Sequence, residues 1–558
     1  MTLIKSATRE AFPPLPKNRD SAISKASASP PTDRPATGVG AREIELKLHV
    51  APGDLTRLAR HPALIGPRNG TASSQRLHTI YFDTPDRRLA AHGVALRVRR
   101  QGHNHVQTVK TLNAGAPGDA AAVAIRREWD WPIPSEDPDI SLLTVESVRE
   151  LVPQDALPDI QPLFVTDFQR TTLLVRPDPL TAIEVALDTG EIRAGVTHRP
   201  ISEIELELKA GSITALFDLA LRIQRIVPLR IGTESKAELG FALVTGTLPQ
   251  PSKSQPLALT PATTVAEGFR HIVRNCMGHA LANQASVMAV AHDPAVGDEG
   301  VHQMRVALRR LRSALGLFDE VVASPDADSM RNEVKWLANR LGPARDWDIL
   351  DTAFFASYAE KKGNDKGVRL LAQAITQSRG SARAHAIEAL RAPRHTTLML
   401  GLGSWLESGR WNEDADAGVR ELLTKPMADL AGGWLATRHR KSLKAGRQIR
   451  KLDDDRRHQL RISFKKLRYA VEFFRGIYPA PAVRPYLEAI ETLQDLLGQL
   501  NDAATSRRLI EAIGAESGSD VKAAAKEFKE WLDRKTRRQL TELPDRWRDF
   551  EKVQPFWG

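Results

Sequence analysis

Two short runs repeat one pattern: Glu43-Ile-Glu-Leu-Lys47 and Glu203-Ile-Glu-Leu-Glu207 place an ionisable side chain at every second position, with an aliphatic residue between. In a β-strand, residues two apart share a face, so Glu43, Glu45 and Lys47 would line one side and Ile44 and Leu46 the other. Cations follow the same spacing. Arg97 and Arg99 share a face, Lys110 ends a strand-like run, and Arg126-Arg127-Glu128 and Arg170 come next. Carboxylate pairs suit a hard divalent cation such as Mg²⁺ or Mn²⁺, which takes oxygen ligands and shares them with phosphate. Guanidinium forks and ammonium groups bind the remaining phosphate oxygens, and phosphoryl transfer needs mainly such positioning and charge neutralisation. Taken singly, each run also fits a half-buried strand with a solvated face. Together they would make a solvated sheet unusually dense in charge, whereas a closed barrel lined by them would be a site.

A second set of charges follows a helical period. Val301-His-Gln-Met-Arg-Val-Ala-Leu-Arg-Arg-Leu-Arg-Ser-Ala-Leu315 recurs as Arg457-His-Gln-Leu-Arg-Ile-Ser-Phe-Lys-Lys-Leu-Arg-Tyr-Ala-Val471, and Leu341-Gly-Pro-Ala-Arg-Asp346 recurs as Leu497-Gly-Gln-Leu-Asn-Asp502, both at an offset of 156. Two matches at one offset indicate an internal duplication. His302, Arg305, Arg309 and Arg312 form a stripe beside the apolar one, as do His458, Arg461, Lys465 and Arg468. No Asp or Glu occurs from Val301 to Phe318 or from Arg456 to Val471, so these cations lack acidic partners one turn away. Like charges at that spacing repel, and a polyanion laid along them would relieve the strain. The competing reading is a solvated bundle face. Lys335, Arg438, Arg440, Lys441, Lys444, Arg447 and Arg450 either extend the surface or are merely solvated.

The elements that must carry these residues fall into two kinds. Residues 41–247 alternate with period two and read as strands broken by turns, while 263–548 read as long amphipathic helices rich in Leu and Ala. The Pro/Ser/Gln-rich stretch 248–262 reads as a linker, and residues 1–40, rich in Ala, Ser and Pro without either period, as a disordered tail. The expected fold is therefore an α+β domain followed by an all-α duplicated bundle. The 558 residues carry 79 Lys plus Arg and 68 Asp plus Glu, a balance of +11. Residues 41–247 hold 24 basic and 26 acidic side chains and the tail 6 and 3, leaving 49 against 39 for the remainder. Nearly all the excess thus belongs to the helical part, which points to a polyanionic partner there. A single cysteine, Cys276, excludes an intramolecular disulfide and a cysteine-cluster metal site, and no apolar run is long enough to span a membrane.

The strand residues resemble CYTH domains, the triphosphate tunnel metalloenzymes, a family that includes inorganic triphosphatases, thiamine triphosphatases and class IV adenylate cyclases. The resemblance rests on Glu43-Ile-Glu-Leu-Lys47, Tyr81-Phe-Asp-Thr84, Leu96-Arg-Val-Arg99, Pro162 to Arg170, Ile183 to Asp188, Ile204 to Glu207 and Glu234-Ser-Lys-Ala237, in the family's order. It implies an eight-stranded antiparallel β tunnel with flanking helices and a charged interior. Glu43, Glu45, Glu203 and Glu205 match metal carboxylates, with Mg²⁺ implied and Mn²⁺ as the other option. Lys47, Arg97, Arg99, Lys110, Arg126, Arg170 and Lys236 match phosphate-binding cations, and Glu43, Glu45 and Lys47 the catalytic group. Asp188 and Glu128 match acidic tunnel positions of open role. Two registers stay open: Glu205 with Glu207 in place of Glu203 with Glu205, and Arg127 in place of Arg126. The longer segments look most like the bacterial inorganic triphosphatase branch, which implies hydrolysis of triphosphate to diphosphate and phosphate.

The duplicated helices resemble the CHAD domain, associated with binding of inorganic polyphosphate. His302, Arg305, Arg309, Arg310 and Arg312 with Arg345-Asp346 match its signature, as do His458, Arg461, Lys465, Lys466, Arg468 and Tyr469. Asn501 stands where the first copy has Arg345. The resemblance implies triphosphate as substrate and long-chain polyphosphate as partner, in a cytoplasmic protein with association to polyphosphate granules as an option. Nucleic acid is disfavoured, because stacking aromatics among the cations are scarce. The alternatives are a non-enzymatic polyphosphate-binding or granule-associated protein, a class IV adenylate cyclase and a thiamine triphosphatase; oligomeric state is open.

Overall fold

The computed structural model describes residues 42–62, 64, 72–112, 122–289, 293–363, 365–413 and 415–557. The tail expected to be disordered, 1–40, lies outside the described residues. Among the described residues, nine strands form one antiparallel sheet: β1 (Arg42–Val50), β2 (Ser73–Asp83), β3 (Val94–Gln101), β4 (Asn104–Thr111), β5 (Val123–Ile133), β6 (Gln161–Val175), β7 (Ala182–Ala194), β8 (Thr197–Ala210) and β9 (Leu229–Gly232). Their order is β5-β4-β3-β2-β6-β7-β8-β1-β9, and β5 also pairs with β1. That last pairing closes β1 to β8 into the eight-stranded barrel the sequence implies. β1 is the closing strand: along one edge its first half meets β5 (Glu43↔Arg126) and its second half β9 (Val50↔Leu229), while its other edge meets β8 (Glu45↔Glu207).

The period-two pattern turns the usual barrel inside out. Leu46, Leu48, Val185, Leu187, Ile204 and Leu206 are fully buried on the outer face, where α1 (Ile213–Gln224) covers them with Leu216, Phe217, Leu219 and Ile223. On the far side, Leu96, Val98, Val109, Trp129 and Trp131 pack outward against Leu143, Val148 and Ala156 of the 140–160 segment. With both outer walls apolar and covered, the alternate side chains have only the barrel interior to occupy. Part of that interior is filled by α2 (Lys236–Thr245), whose Ala237, Leu239 and Phe241 pack with Tyr81, Phe164 and Phe168. Gly240 permits the approach, since a Cβ there would lie 2.0 Å from the Phe164 ring.

From Val265 the chain is helical. The long helices used below are α3 (Val265–Ala282), α4 (Pro294–Leu317), α5 (Pro325–Ile349), α6 (Lys366–Arg391), α7 (Pro393–Ser408), α8 (Asp454–Phe474) and α9 (Ala480–Glu516). α4 followed by α5 and α8 followed by α9 carry the two copies of the duplicated sequence. Their apolar stripes (Val301, Met304, Leu308, Leu311, Leu315; Leu460, Phe464, Leu467, Val471) are buried in one shared core. Cys276 lies in it, fully buried, and burial pushes its thiol up to about 11.

The same hydrophobic cluster runs through α1 into the helical part. Gly403 of α7 faces Phe217 of α1 so closely that a Cβ there would sit 2.4 Å from the ring. Around that contact Ser404 Oγ donates to Asp218 (2.7 Å), Thr396 Oγ1 to the Leu229 carbonyl (2.6 Å) and Gln224 Nε2 to the Pro393 carbonyl (3.1 Å). Asn283 pins the connecting segment through both backbone groups of Ser252.

Candidate functional site

The barrel encloses a cavity of about 210 Å³, lined from β1 by Glu43, Glu45 and Lys47, from β3 by Arg97 and Arg99, and from other elements by Lys110, Arg126, Glu128, Arg170, Glu205, Glu207 and Lys236. Lys236 is the first residue of α2, and its place is fixed by a capping box in which Ser235 and Glu238 satisfy each other's backbone. From there its ammonium reaches Asp188 at 2.6 Å and Glu205 at 2.8 Å, and also pairs with Glu203. Lys47 joins the same floor, 3.3 Å from both Glu203 and Glu45 and paired with Glu205. Arg170 forks onto Asp188 at 2.8 and 2.6 Å. Burial alone would discharge both lysines; the carboxylates outweigh it and hold them well above their ordinary range, so both stay cationic.

Higher in the cavity the balance is looser. Arg97 holds Glu128 at 2.7 Å and Lys110 holds it at 3.2 Å, and these cations, against burial, pull its carboxyl down to about 2. Arg99 has no carboxylate within ion-pair distance among the described residues; its side chain donates only to Thr79, at 3.2 Å. Burial, with Arg97 and Arg170 nearby, pushes it down to about 10. Arg126 points inward, 3.6 Å from Glu238, while Arg127 is exposed outside, which follows from their one-residue offset on β5.

The acids divide in the same manner. Asp188, Glu203 and Glu205 bring ligand oxygens within 4.8 Å of one another, but the Lys236 ammonium already bonds all three. Glu203, 2% exposed, lies beneath the cavity rather than on its wall. Glu45 and Glu207, directly opposed across β1 and β8, do line it. Burial, reinforced by Glu205, lifts the Glu45 carboxyl above its ordinary range, and Glu45 Oε1 is buried without a hydrogen-bond partner. Burial likewise lifts Glu207, whose ion pair is with half-exposed Lys209. Glu45 shares Lys47 with Glu203 and Glu205, and Glu207 has only the half-exposed Lys209, so both desolvated carboxyls stay lifted by burial, and a divalent ion between them would add the positive charge they are short of.

In the helical part, α4, α5, α8 and α9 enclose a groove of about 740 Å³. It is lined by His302, Arg305, Arg309, Arg310 and Arg345 from one copy and His458, Arg461, Lys465 and Arg468 from the other. Burial and the neighbouring Arg309 and Arg461 push the Lys465 ammonium down to about 6; burial with Arg345 pushes His302 down to about 4.

Residues 41–241 match the family model of the CYTH domain, and residues 271–511 that of the CHAD domain. The chain is a CYTH domain followed by a CHAD domain. An inorganic triphosphatase of Haemophilus influenzae is 35% identical over 207 residues, 36% of this chain and 55% of that protein. The chain thus spans about half the length of the curated relative it matches. A crystal structure of the CHAD domain from the plant Ricinus communis is 31% identical and covers 55% of this chain and 97% of that one, with a TM-score of 0.47. An adenylyl cyclase candidate from Hippeastrum, described as having a dominant triphosphatase activity, is 19% identical over 37% of this chain and 97% of its own, with a TM-score of 0.26.

Within the CYTH barrel, Lys47, Arg97, Arg99, Lys110, Arg126, Arg170 and Lys236 line the cavity and the alternative Arg127 does not; of the four carboxylates expected to hold metal, Glu43, Glu45 and Glu205 line it, while Glu203 is on the floor. Glu207 stands on the wall instead. Alternation alone puts Glu203, Glu205 and Glu207 on one face, so depth along β8, set by where α2 and Lys236 sit, decides between them. In the CHAD groove, Arg312 and Lys466 are absent from the lining. Both are exposed, and Arg438 and Lys441 act on Lys466 alongside Arg312, so these cations lie beyond one end of the groove. Arg310 is on the lining but buried, with its guanidinium 5.4 Å from the Phe473 ring. Asp346, part of the signature, and its repeat equivalent Asp502 also line the groove, although neither belongs to the basic stripes. The described residues include no helix long and apolar enough to cross a membrane.

Proposed function

We propose that the CYTH domain, taken as residues 41–247, hydrolyses inorganic triphosphate to diphosphate and phosphate with Mg²⁺, and that the CHAD domain, taken as 263–548, binds polyphosphate. The observation that carries the first reading is a barrel cavity in which most cations are held by acids while Arg99 has no carboxylate within ion-pair distance among the described residues and burial keeps the opposed carboxyls of Glu45 and Glu207 lifted despite Lys47 and Lys209. A phosphate chain and a divalent ion supply the two missing charges together.

Glu45 and Glu207, with Glu43 and Glu205 beside them, would hold the ion; oxygen donors of this kind suit Mg²⁺ or Mn²⁺. Once bound, the metal supplies charge neutralisation at the phosphate oxygens. Arg99, Arg97, Lys110 and Arg126 bind the remaining oxygens and keep the chain extended for in-line displacement. Lys47 stays protonated, so it orients and neutralises rather than removing a proton. The oxygen of a water bonds to the terminal phosphorus, the bond from that phosphorus to the bridging oxygen breaks, and diphosphate leaves with that electron pair. The proton from water passes to solvent. The relative's name, inorganic triphosphatase, supports this substrate over thiamine triphosphate or ATP.

The test is phosphate release from tripolyphosphate, thiamine triphosphate, ATP and long-chain polyphosphate, each with and without Mg²⁺. Tripolyphosphate is expected to be the best substrate, with activity lost on chelation. Release that is unchanged in Glu43→Ala/Glu45→Ala rejects the assignment. For the CHAD groove, salt-sensitive retention of long-chain polyphosphate by the full chain is expected, and equal affinity after reversal of Arg305, Arg309, Arg461 and Lys465 to Glu rejects it.

A further inference from the structure

Between the two domains lies a third cavity, of about 510 Å³, that neither reading above uses. Its walls bring together three arginines from three elements: Arg199 of β8, Arg230 of β9 and Arg391, the last residue of α6. Among the described residues none of the three has a carboxylate within ion-pair distance, and the hydrogen bond of Arg230 is to the Met288 thioether at 3.4 Å. Glu234 is the one acid on the lining, so the charges facing the cavity are unbalanced by two. Burial, together with Arg199 and Arg391, works against the charge on Arg230. Gln284, 5% exposed on the helical side, leaves its Oε1 without a partner.

We propose that this interdomain cavity is a binding site for a phosphate group, held by Arg199, Arg230 and Arg391. Three guanidinium groups on one cavity match the tetrahedral oxygens of phosphate, and the partial burial of Arg230 strengthens its contact relative to water, while Arg199 and Arg391 reach in from exposed positions. A phosphate group near neutral pH often keeps one P–O–H, and the orphan oxygen of Gln284 is an acceptor for it. Because Arg391 belongs to the CHAD domain and Arg199 and Arg230 to the CYTH domain, the bound anion is shared by both. His49 extends from this cavity toward the catalytic one, its Nδ1 3.7 Å from Glu203, whose carboxylate also meets Lys47 and Lys236. Two sources present the same chemistry: free phosphate or diphosphate, and the terminal group of a longer chain.

Hydrogen–deuterium exchange on the full chain separates this site from the barrel and the groove, because it reads segments. Without metal, inorganic diphosphate is expected to slow exchange in 229–234 and 284–289 by about threefold or more. Arg230→Gln/Arg391→Gln should abolish that protection while leaving protection of β3 and of α8. Arg199→Gln, at an exposed position, repeats the test should the double variant unfold. A parallel titration with long-chain polyphosphate assigns the source: protection by diphosphate supports the free anion, and protection by polyphosphate alone supports a chain end. Protection by neither, or protection that persists in the double variant and in Arg199→Gln, overturns the proposal.

Discussion

Arg305 and Arg461, equivalent residues of the two repeats, face one groove from opposite helices, and each lies 3.6 Å from an aspartate, Asp346 and Asp502 respectively. These aspartates are themselves equivalent, so the groove has an internal two-fold character at its centre. The symmetry fails one residue earlier, where Arg345 of the first copy is replaced in the second by Asn501, which binds His458. Each repeat adds to the field felt by the other: Arg461 depresses Arg305, and Arg309 depresses Lys465.

The crowding gives a pH signature. With Lys465 pushed down to about 6, it is mostly neutral at pH 7.5 in the free protein. An anion in the groove restores the charged form, so binding between pH 6 and 8 takes up a proton and weakens as pH rises. Titration calorimetry with polyphosphate in buffers of different ionisation heat measures that uptake; Lys465→Met should remove it.

Arg99 and Arg97 should part company on substitution. Arg97→Met leaves Glu128 with one cation fewer and lowers the melting temperature. Arg99→Met relieves repulsion with Arg97 and Arg170, so stability holds or rises while kcat/KM on tripolyphosphate falls about ten- to a hundredfold, the worth of one charged hydrogen bond. Thermal melts and kinetics on the two variants check the split.

The two positions on β8 are separable too. Glu207→Gln is expected to raise the Mg²⁺ concentration for half-maximal rate by at least about tenfold with little change in stability. Glu203→Gln, which leaves Lys47 and Lys236 short of a counter-charge, should act first on stability.

Lys236→Met removes the one cation that Asp188, Glu203 and Glu205 all share, leaving them to Lys47 and Arg170 and short of one positive charge in the barrel floor. Uncompensated buried charge of this sort costs about 3–5 kcal/mol. Denaturant melts should show that loss, growing as pH rises: the stranded carboxyls keep their protons more tightly folded than unfolded, so the variant regains stability in acid.

At the domain contact, Gly403→Ala would press a methyl into the Phe217 ring and cost about 1–3 kcal/mol. Differential scanning calorimetry is expected to show the single transition of the native chain splitting in two. One unchanged transition would mean the contact yields without cost.

Much of this was legible in the residues. Alternation in β1 and β8 announced both the barrel wall and its charged lining, because Leu46 and Leu206 must go where Glu45 and Glu205 do not. The helical repeat was visible because two segments matched at one offset. Depth was not legible: nothing in Glu203-Ile-Glu-Leu-Glu207 says which glutamate the Lys236 ammonium will claim, since that depends on a helix 30 residues later. Nor does the stripe through Arg305 and Arg312 say where the groove stops. The interdomain cavity was invisible for the same reason, as Arg199, Arg230 and Arg391 share no motif and meet only when α7 docks on α1.

The triple pairing of β1 also sets an order of events at the ribosome. Strand β1 must wait for β5, for β8 and for β9, the last of them ending at Gly232, before its edges are satisfied. Its apolar side waits longer, since α1 is itself covered by α7, which ends at Ser408. Until residue 232 is made the chain therefore carries unpaired strand edges, and until residue 408 an uncovered Leu-rich face, the kind of surface that invites aggregation and chaperone capture. The barrel cavity is thus completed late, and truncations that spare every residue lining it but remove the helices covering α1 should yield a nascent barrel that is slow to close.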